Sequence, residues 1–250
     1  MAEETETTNF GYQSIPTDQK TERVGSVFRS VANRYDVMND LMSFGLHRFW
    51  KRLAIARCNI RPHHCVLDLA GGTGDLTRQI AKLLGKEGLI VLADINEAML
   101  TKGRERLINA GLIQPIALTQ ANAECIPFTN NSFDRIICAF GLRNVTHPNK
   151  ALAEMSRVLK PGGQVMILEF STVNDKMLST LYNAYSFSIL PKLGEWICND
   201  KKSYQYLAES IRVHPNQETL KSMMCEAGFE RTEYQNLHSG IVALHTGYKF

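Results

Sequence analysis

An apolar stretch that breaks into glycines and restarts as a helix is the feature that most constrains this chain. Residues 66–75 read VLDLAGGTGD, and the next apolar run ends in Asp94, 26 positions after Asp68. Glycine has no side chain, so the backbone N–H groups of such a loop can approach a ligand closely. A carboxylate at the end of the following strand can accept hydrogen bonds from both hydroxyls of a ribose. The pattern therefore predicts a nucleoside-binding turn.

Strand and helix patterns alternate through the middle of the chain. The strand candidates are 65–69, 89–94, 116–120, 134–140 and 164–170, with helices at about 75–84, 96–109 and 149–159. Such alternation favours a parallel sheet with helices on both faces. Residues 229–237 and 240–250 predict two more strands joined by a hairpin, which makes the last strand antiparallel. The expected fold class is α/β, with a seven-stranded, mostly parallel sheet.

The 250 residues suit one large domain with added helices. Residues 1–20 are polar and lack an apolar period, so we expect a flexible N-terminal arm followed by a single domain over 21–250. Apolar residues at helical spacing over 24–57 predict two or three helices before the sheet. After the fifth strand, residues 174–212 predict a helical insertion.

Composition argues against several classes of protein. The net charge of +3 arises from 28 basic and 25 acidic residues spread through the chain, which is unlike the basic stripe of a nucleic-acid-binding protein. The seven histidines form no ligand cluster, so we expect no metal site. No leader opens the chain, and no apolar run approaches the roughly 20 residues needed to span a bilayer. We expect a soluble, cytoplasmic protein.

The glycine loop discriminates between classes of nucleotide cofactor. The dinucleotide template G-x-G-x-x-G is met at Gly72 and Gly74 but fails at Thr77. No Gly-Lys-Ser/Thr follows, so the loop is not a P-loop. A ligand with a ribose and no phosphate fits better, and S-adenosylmethionine is such a cofactor, whereas an NAD-dependent oxidoreductase is the competing enzyme class. Asn122 and Ala123 follow the third strand, where they either read an adenine edge or form an ordinary polar turn.

Four longer motifs carry a resemblance to a known family. They lie at residues 33–52, 68–75, 140–146 and 206–211, and with them the chain resembles the ubiquinone/menaquinone biosynthesis C-methyltransferases of the bacterial UbiE type from residue 10 to residue 250. The resemblance implies a class I methyltransferase (Rossmann-like) fold and S-adenosyl-L-methionine as the cofactor.

The same resemblance implies a substrate and a reaction. Such an enzyme methylates a ring carbon of a polyprenylated quinol, converting demethylmenaquinol to menaquinol and 2-methoxy-6-polyprenyl-1,4-benzoquinol to its methylated product. From the residues themselves two rivals stay open: an O-methyltransferase for another aromatic substrate, and a descendant of the fold that binds the cofactor without transferring a methyl group.

The resemblance also implies a set of site residues. Those expected to bind the cofactor are Gly71, Gly72, Thr73, Gly74, Asp94, Asn122, Ala123 and Ala139. Related enzymes often carry serine where this chain has Ala139, which leaves a side-chain contact there in doubt.

Arg143 and Asn144 are the catalytic candidates, because they follow the fourth strand, where ligands approach a sheet of this kind. With a pKa above about 12, an arginine is no simple base at neutral pH. Its expected role is to stabilise a developing quinolate oxygen or to organise a water. The alternative is that the pair caps loop carbonyls.

Three further features are weighed for substrate contact. Tyr35 is expected to pack within a helix, and His147 to lie in a surface turn. The apolar face of 176–197 is either buried core or a lid that receives the prenyl chain and rests on a membrane surface. Oligomeric state and association with a quinone-biosynthesis complex stay open.

Overall fold

The computed structural model describes residues 6–32, 35–112, 116–173, 180, 182, 184–189, 191–192, 195–196 and 200–250. The strands are β1 (Thr7–Phe10), β2 (Gln13–Pro16), β3 (Cys65–Leu69), β4 (Leu89–Asp94), β5 (Ile116–Gln120), β6 (Phe133–Ala139), β7 (Leu159–Phe170), β8 (Glu230–Leu237) and β9 (Val242–Tyr248). The longer helices are α1 (Thr17–Val31), α2 (Tyr35–Ser43), α3 (His47–Arg57), α4 (Asp75–Ile80), α5 (Glu97–Asn109), α6 (Pro148–Val158), α7 (Lys201–Val213) and α8 (Gln217–Glu226).

Seven strands form one sheet in the order β5-β4-β3-β6-β7-β9-β8. The pairs among β5, β4, β3, β6 and β7 are parallel, and β9 runs antiparallel to both of its neighbours. This confirms the predicted seven-stranded, mostly parallel sheet with an antiparallel last strand. The strand order reverses at β3, which lies between β4 and β6, and ligands of open α/β sheets bind at such a point.

Both faces of the sheet are buried, as β7 illustrates. Met166, Leu168 and Phe170 pack into one apolar cluster with residues of α1, α2, α3 and α7. The alternate residues Val165 and Ile167 pack into a second cluster with α6 and α8. Successive side chains of a strand point to opposite faces, so helices cover both sides of the sheet as predicted.

The N-terminal region differs from the expected flexible arm. Residues 7–16 form an antiparallel hairpin and α1 begins at Thr17, while residues 1–5 lie outside the described part of the chain. Phe10 stacks on Tyr206 with ring centroids 4.3 Å apart, and Ile15 is buried. The hairpin packs on a helix almost 200 residues away, as the hydrogen bond from the Tyr12 N–H to the Glu209 carboxylate also shows. A local search for periodicity cannot detect such a partner.

Two other boundaries differ from the sequence prediction. β7 begins at Leu159, so Gly162 lies inside the strand, where its N–H donates to the Lys249 carbonyl at 2.7 Å. The helix predicted over 75–84 ends at Ile80. Much of the predicted insertion, including residues 174–179, lies outside the described residues, and its described parts include a wide helical turn over Tyr185–Ile189 and the helix α7.

Candidate active site

An open cleft of about 770 Å³ lies at the carboxyl ends of the strands around the point where the sheet order reverses. Five of the residues predicted from the sequence line this one cleft: Gly72, Asp94, Asn122, Ala123 and Asn144. The other five, Gly71, Thr73, Gly74, Ala139 and Arg143, are not among its lining residues. The first five therefore form a surface that a ligand in this cleft can touch, and the other five lie outside it.

Asp94, the last residue of β4, is held by backbone donors at the cleft wall. Its Oδ2 accepts from the Gly72 N–H at 2.9 Å, and its Oδ1 accepts from the Asn96 N–H at 2.8 Å. Burial raises the pKa of Asp94 above its usual value, and these two N–H groups oppose that rise. Each carboxylate oxygen has a second lone pair. The fixed carboxylate can therefore accept the two hydroxyls of a ribose.

Each of the three loop glycines is required for a different structural reason. Gly72 lines the cleft with φ of +56°, and a Cβ there would lie 3.2 Å from the Met99 Cε. A Cβ on Gly71 would overlap the side chain of Leu92. Gly74 directly precedes α4 and has a φ of +74°, a backbone conformation that favours glycine. Gly72 keeps the cleft open, whereas Gly71 and Gly74 allow the loop to pack.

Thr73 and Ala139 lie outside the cleft. The Thr73 side chain is buried, and its hydroxyl accepts from Arg106 Nη1 at 3.0 Å. Together with Gly74, Thr73 lines a separate polar groove. Ala139 packs against the apolar core, while the next residue, Phe140, lines the cleft. Neighbouring residues in a loop can face opposite sides, which the glycine motif alone does not reveal.

Asn122 forms a polar turn that borders the cleft. Its Oδ1 accepts from the Glu124 N–H at 2.9 Å, which makes a polar turn, and the same turn lines the cleft beside Ala123. Glu124 in turn accepts from the Thr146 N–H at 3.0 Å and from the His147 N–H at 3.1 Å. This carboxylate ties the loop after β5 to the loop after β6, so both loops border one cleft.

Arg143 is part of a buried ion pair behind the cleft. Its Nη1 lies 2.6 Å from Glu169 Oε1, and the two side chains are 3% and 2% exposed. The same nitrogen donates to the Phe140 carbonyl at 2.7 Å, and the guanidinium lies 5.4 Å from the ring centroid of Phe170. Glu169 compensates the positive charge. This contact caps the Phe140 carbonyl, which is the alternative role predicted for Arg143 from the sequence.

Asn144 lines the cleft, and its amide is hydrogen-bonded to the protein. The Asn144 Oδ1 accepts from the Tyr206 hydroxyl at 3.0 Å, and Nδ2 lies 3.5 Å from the Phe140 carbonyl oxygen. A separation of 3.5 Å is at the long limit for a hydrogen bond. An amide nitrogen has two N–H donors, so at least one remains for a ligand.

The helix α1 borders the cleft, which was not predicted from the sequence. Four of its residues line the cleft, among them Val24. The helix is held there because Lys20 Nζ donates to the Val145 carbonyl at 3.0 Å and Asn96 Nδ2 donates to the Gly25 carbonyl at 3.2 Å. Burial lowers the pKa of Lys20. The apolar period of α1 predicted a buried face, but no local pattern names the surface that buries it.

A second, apolar cleft of about 650 Å³ lies beside α2 and α3. It is lined by Met42, Ser43, Phe44, Leu46, Trp50, Tyr182, Tyr185 and Ile241. Trp50 packs with ring centroids 6.3 Å from Phe140 and 6.2 Å from Phe170. Because Phe140 also lines the first cleft, a layer of aromatic rings lies between the two clefts.

Tyr35 and His147 are the remaining candidates for substrate contact. Tyr35 begins α2, but its side chain lies outside the described residues, and His147 is half-buried immediately before α6. Among the described residues, three or more His, Cys, Asp or Glu side chains nowhere cluster as metal ligands would. Within the same residues, helices are too short or too polar to cross a membrane.

Comparison with known sequences places the chain in a family. The model of the ubiE/COQ5 methyltransferase family matches residues 16–249. The ubiquinone/menaquinone biosynthesis C-methyltransferase of Marinomonas sp. (strain MWYL1) is 58% identical over 244 residues, covering 98% of this chain and 97% of that protein. The protein of the same name from Escherichia coli O1:K1 / APEC is 58% identical over 245 residues, with 98% of each chain covered.

Solved structures agree with the fold. A SAM-dependent methyltransferase of Thermotoga maritima superposes with a TM-score of 0.62 at 19% identity, covering 91% of this chain and 100% of that one. One from Aquifex aeolicus gives a TM-score of 0.57 at 17% identity, with 80% and 89% covered. The predicted class I methyltransferase fold and family resemblance are confirmed: this chain belongs to the ubiE/COQ5 methyltransferase family.

Proposed function

We propose that this protein is an S-adenosylmethionine-dependent C-methyltransferase of polyprenylated quinols. Its reactions are the methylation of demethylmenaquinol to menaquinol and of 2-methoxy-6-polyprenyl-1,4-benzoquinol to its methylated product. The observation that carries the proposal is that a carboxylate suited to a ribose and an amide donor, Asp94 and Asn144, line one cleft. Relatives of nearly equal length that bear the name of quinone-biosynthesis C-methyltransferases support the choice of substrate.

The cofactor half of the cleft fits a nucleoside. Asp94 would accept the ribose hydroxyls, Gly72 would let the ligand approach the backbone, and Asn122 and Ala123 would border the adenine. S-adenosylmethionine, when bound, supplies an electrophilic methyl group on a sulfonium. Hydrogen bonds to a charged group contribute about 1.5–3 kcal/mol, so Asp94 would supply a large part of the affinity.

The substrate half contributes a donor and a geometry. A ring carbon of a quinol becomes nucleophilic when the adjacent hydroxyl loses its proton, and the free N–H of Asn144 would stabilise the resulting oxyanion. Arg143 would act on this loop from behind, by holding the Phe140 carbonyl. A ring held about 3–3.5 Å from the methyl carbon gains several kcal/mol from its orientation alone.

The apolar cleft would receive the start of the prenyl chain. Its walls are aromatic and aliphatic, and Phe44 at its edge is 68% exposed, with Trp196 86% exposed in the predicted insertion. Exposed aromatic side chains of this size suit the boundary between water and lipid. We therefore include a peripheral association with the membrane in the proposal. If residues 176–197 form a lid that receives the prenyl chain, binding of a quinol analogue should slow their hydrogen exchange. Unchanged exchange over 176–197 would contradict the lid.

Transfer of a labelled methyl group tests the reaction and the substrate together. The enzyme is incubated with methyl-labelled S-adenosylmethionine and each chemically reduced demethylated quinone, and the product is analysed by NMR. Label on the ring carbon is expected. Label on oxygen would indicate the O-methyltransferase, and retained cofactor binding without any transfer would indicate a binding-only protein.

A further inference from the structure

We infer that Tyr206 is a positioning residue for methyl transfer, which acts by fixing the side-chain amide of Asn144. The inference rests on the proposed function, because that proposal places Asn144 at the reacting face. The contact itself joins α7 to the turn Leu142–Asn144 at a distance of 3.0 Å between the Tyr206 hydroxyl and Asn144 Oδ1.

The surrounding atoms decide which way the amide of Asn144 points. With Oδ1 toward Tyr206, the Nδ2 group faces the Phe140 carbonyl oxygen at 3.5 Å. The opposite rotamer would place two oxygen atoms, Asn144 Oδ1 and the Phe140 carbonyl, against each other. That carbonyl already accepts from Arg143 at 2.7 Å. The orientation of an amide follows from such a network, so the tyrosine hydroxyl directs the N–H donors of Asn144 away from itself.

Tyr206 is built to remain a donor. It is only 4% exposed, and burial raises the pKa of its phenol further above the usual value near 10. The hydroxyl therefore keeps its proton throughout the pH range in which an enzyme of this kind works. A phenolate could not donate to Asn144 Oδ1, so the burial preserves the orientation of the amide.

The N-terminal hairpin braces this tyrosine. Phe10 stacks on the Tyr206 ring with centroids 4.3 Å apart and planes inclined by 19°. Two residues further along the hairpin, the Tyr12 N–H donates to Glu209 Oε2 at 3.1 Å. The hairpin thus holds both the ring and the helix that carries it. Residues near the N-terminus reach the cleft through Tyr206 and Asn144.

Removal of a single hydroxyl tests the inference. Tyr206→Phe keeps the ring and its stacking on Phe10, so we expect a urea midpoint close to that of the wild type. The turnover number with a reduced demethylated naphthoquinol should fall roughly tenfold, the cost of losing one hydrogen bond in the transition state. The KM for S-adenosylmethionine should stay within about twofold. Tyr234→Phe is the matched control. Tyr234 lies on the distant β8, and its hydroxyl donates to Glu218 at 2.8 Å, so this variant also loses one hydroxyl contact but should keep full turnover.

A double-mutant cycle distinguishes positioning from a general structural effect. If Tyr206 acts through Asn144, then Tyr206→Phe should cost nothing further in an Asn144→Ala background. Full turnover in Tyr206→Phe, or losses that multiply in the double variant, would overturn the inference. Full turnover in Asn144→Ala would overturn the placement of Asn144 and, with it, the inference.

The orientation of the amide can be measured without activity. The side-chain ¹⁵N–H₂ signals of Asn144, assigned by their loss in Asn144→Ala, should shift or broaden in Tyr206→Phe and stay unchanged in Tyr234→Phe. Unchanged signals in Tyr206→Phe would overturn the inference. If the wild type transferred no methyl group to the quinol, the proposed function would fail, while these signals would still decide whether Tyr206 fixes the amide.

Discussion

The two halves of the cleft are built in different ways. On the cofactor side, Gly72 and Asp94 meet through a hydrogen bond that spans 22 residues, because Asp94 ends β4 and Gly72 lies in the loop that follows the neighbouring parallel strand β3. On the substrate side, the contact between Asn144 and Tyr206 spans 62 residues, and the contact between Lys20 and Val145 spans 125. The cofactor side follows from consecutive strand ends of a regular sheet. The substrate side is assembled from helices that only the tertiary fold brings together.

The largest effect is expected at Arg143, which lies behind the loop of the substrate half. Arg143→Ala would leave Glu169 buried without its partner, and such a change costs about 3–5 kcal/mol of unfolding free energy. In the fraction that stays folded, turnover should fall much more than the affinity for S-adenosylhomocysteine. Urea unfolding measures the loss of stability, a methyl-transfer assay measures turnover, and calorimetry measures the affinity.

Arg29→Ala is the matched control for Arg143. Arg29 pairs with Glu22 on the surface, where the side chains are 50% and 76% exposed, and such pairs contribute about 0–1 kcal/mol. Equal losses of stability in the two variants would contradict the account of Arg143. A defect in cofactor binding with normal turnover would contradict its assignment to the substrate half.

Asp94→Asn tests the cofactor half of the cleft and should mainly weaken cofactor binding. Loss of the charged acceptor should weaken the binding of S-adenosylhomocysteine by about 10- to 150-fold, which corresponds to about 1.5–3 kcal/mol. Asp134→Asn is the control, since Asp134 also accepts from a backbone N–H, that of Cys65 at 2.8 Å, but at the amino ends of β3 and β6, away from the cleft. Affinity that falls equally in both variants would refute the ribose role of Asp94.

Two neighbouring glycines should differ in their effect on cofactor binding. Gly71→Ala forces a Cβ into Leu92 and should cost about 1–3 kcal/mol of unfolding free energy. Gly72→Ala places a Cβ 3.2 Å from the Met99 Cε and, at φ of +56°, strains the backbone by about 1–2 kcal/mol, but it alone should also weaken cofactor binding, by roughly tenfold. Thermal unfolding and calorimetry on both variants check this, and the reverse pattern would mean that the wrong glycine has been assigned to the cleft.

The smallest effect concerns pH and His214, which follows α7. Burial lowers the pKa of His214 to about 4, with Glu169 acting in the opposite direction and Arg143, His245 and Lys20 reinforcing the burial. An unfolded histidine titrates near 6.5, so between pH 6.5 and 4 the unfolded chain binds the proton, and stability falls as the pH falls. Between pH 7 and pH 5, the free energy of unfolding of His214→Asn should therefore fall by roughly 1–2 kcal/mol less than that of the wild type. Parallel stability curves for the two proteins would contradict this.

The sequence predicted the sheet, and the meeting of Gly72 and Asp94 at one cleft, because these signals are local. Apolar runs predicted the strands, and the glycine loop followed by Asp94 predicted a cleft at the strand ends without knowledge of any distant residue. The burial of Arg143 was not predictable, since its partner Glu169 lies on the next strand of the sheet. Likewise, nothing in the polar residues 1–20 indicated a hairpin, because its apolar side chains pack against α7.

The separation of the two halves is tested most directly at Asn144. Calorimetry with S-adenosylhomocysteine and turnover with a reduced demethylated quinone are measured on Asn144→Ala and on the wild type. The account predicts that affinity stays within about twofold while carbon methylation falls at least tenfold. Affinity and turnover that fall together would contradict it and would place Asn144 in the cofactor half.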